Sequence, residues 1–227
     1  MYIIIFSRLA SKRFKNKAII RLINNKMLIE QVIDQAKLIL PKKKIILATT
    51  KNKEDNFLCN IAKKNGIRYF KGSQNNLIKR TIDCCNFFGV DYFLRYCGDR
   101  PIVDILKIKN LIKNFKKYKK YDFISTNNNK EKIDQGLTIE FIKSSIFKKI
   151  PKKKLSSRNR EHMMTYLYRN NRLFKKYKIF FSKLFKKQYK YTIDYKKDLK
   201  TINFIIKNYD KKNIKKIAKL YEEAKRR

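Results

Sequence analysis

The chain opens on a continuous apolar run, Tyr2-Ile3-Ile4-Ile5-Phe6, and turns polar at Ser7-Arg8. A β-branched run this short suits a strand buried on both faces of a parallel sheet. Residues 27–40 follow with helical spacing, since Met27, Leu28, Val32, Ala36 and Ile39 fall on one face and Pro41 closes the pattern. The alternation then repeats. Strands are expected at 44–50, 67–70, 92–96 and 122–125, with helices at 54–65, 76–88 and 105–118 between them, and Gly66 and Gly89 stand where C-terminal caps belong. Strands alternating with helices of this length indicate βαβ units. Beyond residue 126 the rhythm loosens. Strands are expected at 137–142 and 178–181, a helix at 158–169, and a strand at Tyr191-Thr192-Ile193 ending in Asp194. Helices at 198–208, with Asp198 as N-cap, and at 212–225 close the chain. No repeat or linker interrupts the pattern, so one α/β domain over residues 1–227 is expected, a mostly parallel central sheet flanked by helices.

Composition supports a folded chain and adds one oddity. Hydrophobic residues make up 43%, against 5 Gly and 3 Pro, which supplies a core and excludes a low-complexity chain. Lys and Arg number 59 against 18 Asp and Glu, a net charge of +41. Such an excess suits a polyanion partner. The cations nevertheless run from Lys12 to Arg227 over every expected helix and gather on no one motif. The abundance of Lys, Ile, Asn, Phe and Tyr points to A/T-rich coding as the main cause, so specific nucleic-acid binding is not expected. Cys59, Cys84, Cys85 and Cys97 form no C-x-x-C pair, and the single histidine, His162, cannot complete a zinc site with them. Reduced thiols in a cytoplasmic protein are the simplest account. The N-terminus lacks the order of a secretory signal, and no apolar run approaches the roughly 18 residues of a membrane span.

In open α/β sheets, ligands bind beyond the carboxyl ends of the strands. Three polar segments follow expected strands here. In residues 7–17, Arg8, Arg13 and Lys17 supply fixed positive charge, and Ser11 with the loop amides can donate to phosphate oxygens. A Walker loop is absent. In Cys97-Gly98-Asp99-Arg100-Pro101, a carboxylate on a glycine turn is a perch for Mg²⁺, which takes one or two carboxylates plus substrate phosphates. Asp194 is the third case. Either acid can also cap a helix, but Asp198 is the better cap and leaves Asp194 for metal.

Six motifs that cover about residues 4–198 now carry a resemblance. Arg8, Ser11, Arg13, Phe14 and Lys17 resemble A-R-x-G-S-x-R-[LF]-P-x-K. Gly72-Ser73, Leu77 and Arg80 resemble G-S-x-x-x-[VL]-x-x-R, and RYCGDRPIVD from Arg95 resembles R-x-x-G-D-x-P-x-[IV]-D. Gly136-Leu137 with Glu140 fits G-[LM]-x-x-E, Arg160-Glu161-His162 fits R-E-H, and YTIDYKKDL from Tyr191 resembles [WY]-T-[VI]-D-x-x-x-D-[LF]. The chain thus resembles the cytidylyltransferase family that includes spore-coat polysaccharide proteins of the SpsF type. More distantly it is similar to the synthetases of CMP-activated sugar acids, the acylneuraminate and 3-deoxy-manno-octulosonate cytidylyltransferases.

The resemblance implies a Rossmann-like nucleotidyltransferase fold, shared with the nucleotide-diphospho-sugar transferases. It implies Mg²⁺-dependent attack of a sugar or sugar-acid hydroxyl on the α-phosphate of CTP, for cell-surface polysaccharide. Arg8, Ser11, Arg13 and Lys17 would hold the triphosphate, with Arg8, Lys17 and Asp99 catalytic. Asp99 and Asp194 would hold the metal. Arg80 and Arg95 would orient base, ribose or phosphate, and Glu140, Arg160, Glu161 and His162 would line the acceptor side. His162 invites a general-base role, because histidine titrates near neutrality, or else orients a neighbour. A homodimer is compatible with the resemblance, though no segment marks an interface. The sequence departs from the pattern at Ala10, where the family has glycine, and at Lys15, where it has proline. If the backbone at residue 10 needs positive φ, a methyl group there carries a cost. Two other readings predict different features. A glycosyltransferase of similar fold usually carries an acid-x-acid metal motif after a strand, and none follows a strand here. A non-catalytic basic protein would bind polyanions in a steeply salt-dependent way.

Overall fold

A computed structural model describes residues 1–11, 13–23, 25–127, 134–151, 155–170, 173–179, 189–209 and 214–226. The strands are β1 (Tyr2–Phe6), β2 (Ile45–Thr50), β3 (Arg68–Gly72), β4 (Tyr92–Cys97), β5 (Phe123–Ser125), β6 (Glu140–Lys143) and β7 (Lys176–Lys178). Among the described residues they form one sheet in the order β3-β2-β1-β4-β6-β5-β7, in which β6 alone runs antiparallel to its neighbours. The helices are α1 (Leu28–Lys37), α2 (Asn56–Lys64), α3 (Leu77–Phe88), α4 (Ile105–Lys113), α5 (Ser157–Glu161), α6 (Met163–Arg169), α7 (Asp198–Asn208) and α8 (Ile217–Arg226).

Both faces of the sheet are covered, which is why β1 reads as an unbroken apolar run. Ile3, Ile5, Ile45, Leu47 and Leu94 face a core closed by α1, α2, α4, α7 and α8. The alternate residues Ile4, Phe6, Ile46, Ala48 and Phe93 face a second core closed by α3 and α6, where Cys84 and Cys85 pack as small apolar side chains. No described helix is long and apolar enough to cross a membrane.

The later elements depart from the expected pattern. The helix expected at 158–169 breaks at His162, whose φ of −119° and ψ of 72° are not helical, into α5 and α6. The strand expected at 137–142 begins only at Glu140, and the one at 178–181 lies instead at Lys176–Lys178. Residues 180–181 of that expectation, like 212–213 of the last helix, fall outside the described residues. Tyr191-Thr192-Ile193 is no strand. Its backbone donates from Tyr191 to the carbonyl of Gln135 (2.7 Å) and from Ile193 to that of Asp99 (3.1 Å), which ties it to two loops rather than to a ladder. Asp198 is the first residue of α7 and not its cap. Its Oδ2 accepts from the amides of Asp194 (2.8 Å) and Tyr195 (2.9 Å), outside the helix.

Topology places the site. From β1 the chain steps through β2 to β3 at one edge, then returns across β1 to β4 on its other side. The strand order therefore reverses between β1 and β4, the point where an open α/β sheet leaves a crevice at its carboxyl ends. The loop that begins at Ser7 leaves β1 there, and Gly98-Asp99 leave β4 beside it. The Gly98 amide donates to the carbonyl of Phe6 at 2.9 Å, and a Cβ on Gly98 would lie 2.7 Å from both Cβ and Oγ of Ser7. Gly98→Ala is therefore expected to cost about 1–3 kcal/mol of stability by overpacking, and to weaken nucleotide binding. Chemical denaturation with parallel nucleotide titration checks both.

Candidate active site

The loop from β1 is held by an acid that sequence reasoning overlooked. Asp55 lies just before α2 and is buried, and its Oδ1 accepts from the Leu9 amide at 2.8 Å. Its Oδ2 accepts from the amide of Thr50 (3.2 Å) and from the Thr50 hydroxyl. The Leu9 carbonyl then takes the amides of Ser11 (2.7 Å) and Asn16 (3.2 Å), which folds the loop back on itself. The left-handed turn in this loop falls at Asn16 (φ 57°), a residue type that tolerates it, and not at Ala10. The methyl group at Ala10 thus meets no backbone penalty.

The loop roofs a cleft of about 440 Å³ between β1 and β4, lined by Arg8, Ser11, Arg13, Lys17, Arg80, Arg95, Asp99, Glu161 and His162. Those nine of the expected site residues are together. Asp194 joins them through its ion pairs, while Glu140 and Arg160 do not line the cleft. Arg160 is exposed on α5. A second cavity of about 540 Å³ adjoins the first, shares Arg8, Ser11, Gln74 and Glu161 with it, and takes in Ala10 and Lys15.

The electrostatics divide the cations into paired and unpaired. Lys17 Nζ lies 2.9 Å from Asp99 Oδ2, 3.0 Å from the carbonyl of Ile193 and 3.4 Å from Asp194 Oδ1. Arg13 Nη2 reaches the same Asp194 oxygen at 2.7 Å, but its side chain is 57% exposed. Asp194 is 4% exposed in its side chain, and Lys190 stands 3.4 Å from its Oδ2. Burial pushes its carboxyl up, and Lys17, Arg13 and Lys190 together outweigh that, holding it below the usual carboxylate range. Arg8 pairs with Glu161 of α5 at 2.6 Å and donates to the Gln74 carbonyl at 3.2 Å, bridging the roof of the cleft.

Arg80 is different. It is 3% exposed, and its guanidinium donates to the backbone carbonyls of Ser73 (2.9 Å) and Gln74 (3.5 Å). Among the described residues no carboxylate pairs with it. Gly72 lets it pass, since a Cβ there would stand 2.5 Å from Arg80 Cγ. Burial and then the charge of Arg8 push it down to about 10, which leaves it cationic at neutral pH. The charge of Asp55 acts on it only from a distance, so a buried guanidinium with no paired carboxylate among the described residues, open to a cleft, favours an anion there.

Arg95 has its counter-charge beneath it. Its Nη1 donates to Glu140 Oε2 at 2.6 Å, and the Tyr168 hydroxyl donates to Glu140 Oε1 at 2.6 Å. Glu140 is 3% exposed, so it holds Arg95 in place and does not reach the cleft itself. Burial pushes its carboxyl up, but Arg95, Arg100 and the Tyr168 hydroxyl hold it lowered. Tyr168 carried no motif in the sequence and could not have been found there.

A model of the cytidylyltransferase family matches residues 2–226. The chain belongs to that family. An uncharacterized protein of Methanocaldococcus jannaschii is 30% identical over 216 residues, covering 93% of this chain and 85% of its own. A solved cytidylyltransferase from Leptospira borgpetersenii superposes with a TM-score of 0.86 at 24% identity, over 99% of this chain and 93% of that one. CMP:2-keto-3-deoxy-manno-octonic acid synthetase complexed with CTP superposes with a TM-score of 0.65 at 11% identity, over 91% and 98%. These likenesses show a nucleotidyltransferase fold of the Rossmann-like kind, and the family match makes the chain a cytidylyltransferase.

Proposed function

We propose that this cytidylyltransferase transfers CMP from CTP to a hydroxyl of a sugar or sugar acid and releases pyrophosphate, in the cytoplasm, for cell-surface polysaccharide. The observation that carries the reading is Arg80, a buried guanidinium with no paired carboxylate among the described residues, which shares one cleft with Lys17 and Asp99 at the strand-order reversal. The likeness to a CMP-sugar-acid synthetase complexed with CTP supports the substrate class.

In this reading the acceptor oxygen forms a bond to the α-phosphorus as the bond from that phosphorus to the β-phosphate bridging oxygen breaks. The electron pair leaves with pyrophosphate, and the hydroxyl proton passes to a base. Arg8, Arg13, Lys17 and Arg80 spread the triphosphate charge, which is where such transfers gain most of their rate. Arg8 can exchange Glu161 for phosphate, because that pair is solvent-accessible and weak. Arg95 is oriented by Glu140 and Tyr168. His162 lies at the cleft wall between α5 and α6, where it can accept the acceptor's proton.

The donor set at Asp99 and Asp194 fits a divalent cation. Two carboxylates and the Ile193 carbonyl already surround one positive centre, the Lys17 ammonium. Among the described residues no third His, Cys, Asp or Glu completes a cage, which suits Mg²⁺, an ion that keeps water and phosphate ligands. When bound, Mg²⁺ would neutralise charge on the phosphate oxygens.

Pyrophosphate release from CTP in the presence of a panel of neutral sugars and sugar acids tests the reading. Release that requires both CTP and one class of acceptor is expected. Release with sugar phosphates and UTP alone would contradict it.

A further inference from the structure

We propose that Lys17 is a built-in occupant of the metal seat, so that nucleotide must draw its ammonium off before a divalent cation binds. The inference rests on the reading of Asp99 and Asp194 as metal ligands. An ammonium has three donors. Those of Lys17 face three acceptors, Asp99 Oδ2, the Ile193 carbonyl and Asp194 Oδ1, at 2.9, 3.0 and 3.4 Å. Its hydrogen-bonding capacity is thereby filled. It cannot bridge the two carboxylates and also bind a phosphate, so its two tasks exclude each other in time.

The seat is built to survive the departure. Asp194 Oδ2 accepts from the Thr192 hydroxyl (3.2 Å) and the Gln135 side-chain Nε2 (3.3 Å), with Lys190 beside it. Those bonds keep Oδ1 aimed at the seat when Lys17 leaves. Arg13 also touches Oδ1, but as an exposed partner it is exchanged for water at little cost. Lys17 stands at the start of a 3-10 turn (Lys17–Ile19) with its side chain lining the cleft. Its flexible four-carbon stem allows the ammonium to swing from the carboxylates to a phosphate oxygen without backbone motion.

Nucleotide and metal binding are then coupled. Without nucleotide the seat is open only for the fraction of time that Lys17 is away, and the apparent metal affinity falls by that fraction. A triphosphate offers the ammonium another partner, frees the carboxylates and supplies further ligands. Free divalent cation therefore loads the empty enzyme only weakly, and CTP determines when the metal enters tightly.

The test is Mn²⁺ binding to the full chain without nucleotide, read from the paramagnetic resonance signal of free Mn²⁺. Lys17→Met is expected to bind Mn²⁺ about 10- to 100-fold more tightly than wild type, corresponding to a seat open about 1–10% of the time. Adding Asp99→Asn to that variant should erase the gain. Lys190→Met removes one charge near Asp194 without emptying the seat, and a gain equal to that of Lys17→Met would overturn the proposal. Equal affinity in wild type and Lys17→Met, both lost with Asp99→Asn, would also overturn it while leaving the metal seat standing. Affinity indifferent to Asp99 would instead overturn the metal reading itself. Should Lys17→Met not fold, Lys17→Gln keeps a donor for Ile193 and faces the same outcomes.

Discussion

Asp99→Asn is expected to lower metal-dependent CTP turnover by about 10³-fold, because a metal's charge stabilisation is worth several kcal/mol and each 1.4 kcal/mol is about tenfold. The melting temperature should fall by no more than about 2–4 °C. The reason is geometric. The Asp99 side chain is 24% exposed and, among the described residues, its one ion pair is to Lys17, which keeps Asp194 and the Ile193 carbonyl as partners. A half-buried pair whose cation keeps two other acceptors loses little, about 1 kcal/mol, when one carboxylate is neutralised. Wild-type turnover in the variant would remove Asp99 from the metal site. A loss of turnover accompanied by global unfolding would make its role structural.

The second large effect is on stability. Glu140→Gln should cost about 3–5 kcal/mol, because it leaves the Arg95 guanidinium buried without its counter-charge. The Tyr168 hydroxyl keeps a carbonyl oxygen to donate to, so the loss measures the charge and not that hydrogen bond. Urea denaturation should show a lower midpoint with an unchanged slope. Adding Arg95→Met should recover part of the loss, since a buried ion pair replaced on both sides is often neutral or stabilising. A loss below about 1 kcal/mol would mean that water or another group already compensates Arg95.

The first half of the fold was legible in the sequence because its signals are local. Ile3 to Ile5 must be buried on both faces, and Gly66 and Gly89 end their helices, so β1 to β4 and α1 to α3 lie within about three residues of expectation. The second half was not, because its order depends on partners far away in the chain. Tyr191-Thr192-Ile193 has strand-like residues but bonds to the loops at Gln135 and Asp99, which no periodicity reveals. His162 breaks a helix whose apolar spacing runs on through it. The cluster of cations and acids was legible as residues at strand ends, and the structure brings Arg8, Arg13, Lys17, Arg80, Arg95, Asp99 and Asp194 to one end of the sheet. Which acids face the cleft was not legible. Glu140 reads as an acid inside the strand expected at 137–142 and, by resemblance, as an acceptor-side residue, and only the sheet shows that it lies beneath Arg95. Asp55 left a faint signal, a rare acid just after a buried strand, whose meaning depended on where residue 9 would fold.

The reading of the cleft as a CTP site that takes up Mg²⁺ is tested most directly by thermal unfolding with CTP, UTP, ATP and GTP, each with and without Mg²⁺. A ligand that binds only the folded state raises stability with the logarithm of its concentration over its affinity, by about 2.7 kcal/mol at a hundredfold excess. The cleft described here predicts selective stabilisation by CTP, enhanced by Mg²⁺, with Arg80→Met removing most of it. Equal stabilisation by all four nucleotides, reproduced by pyrophosphate or heparin and erased by salt, would show that the net charge of +41 binds them and not the cleft.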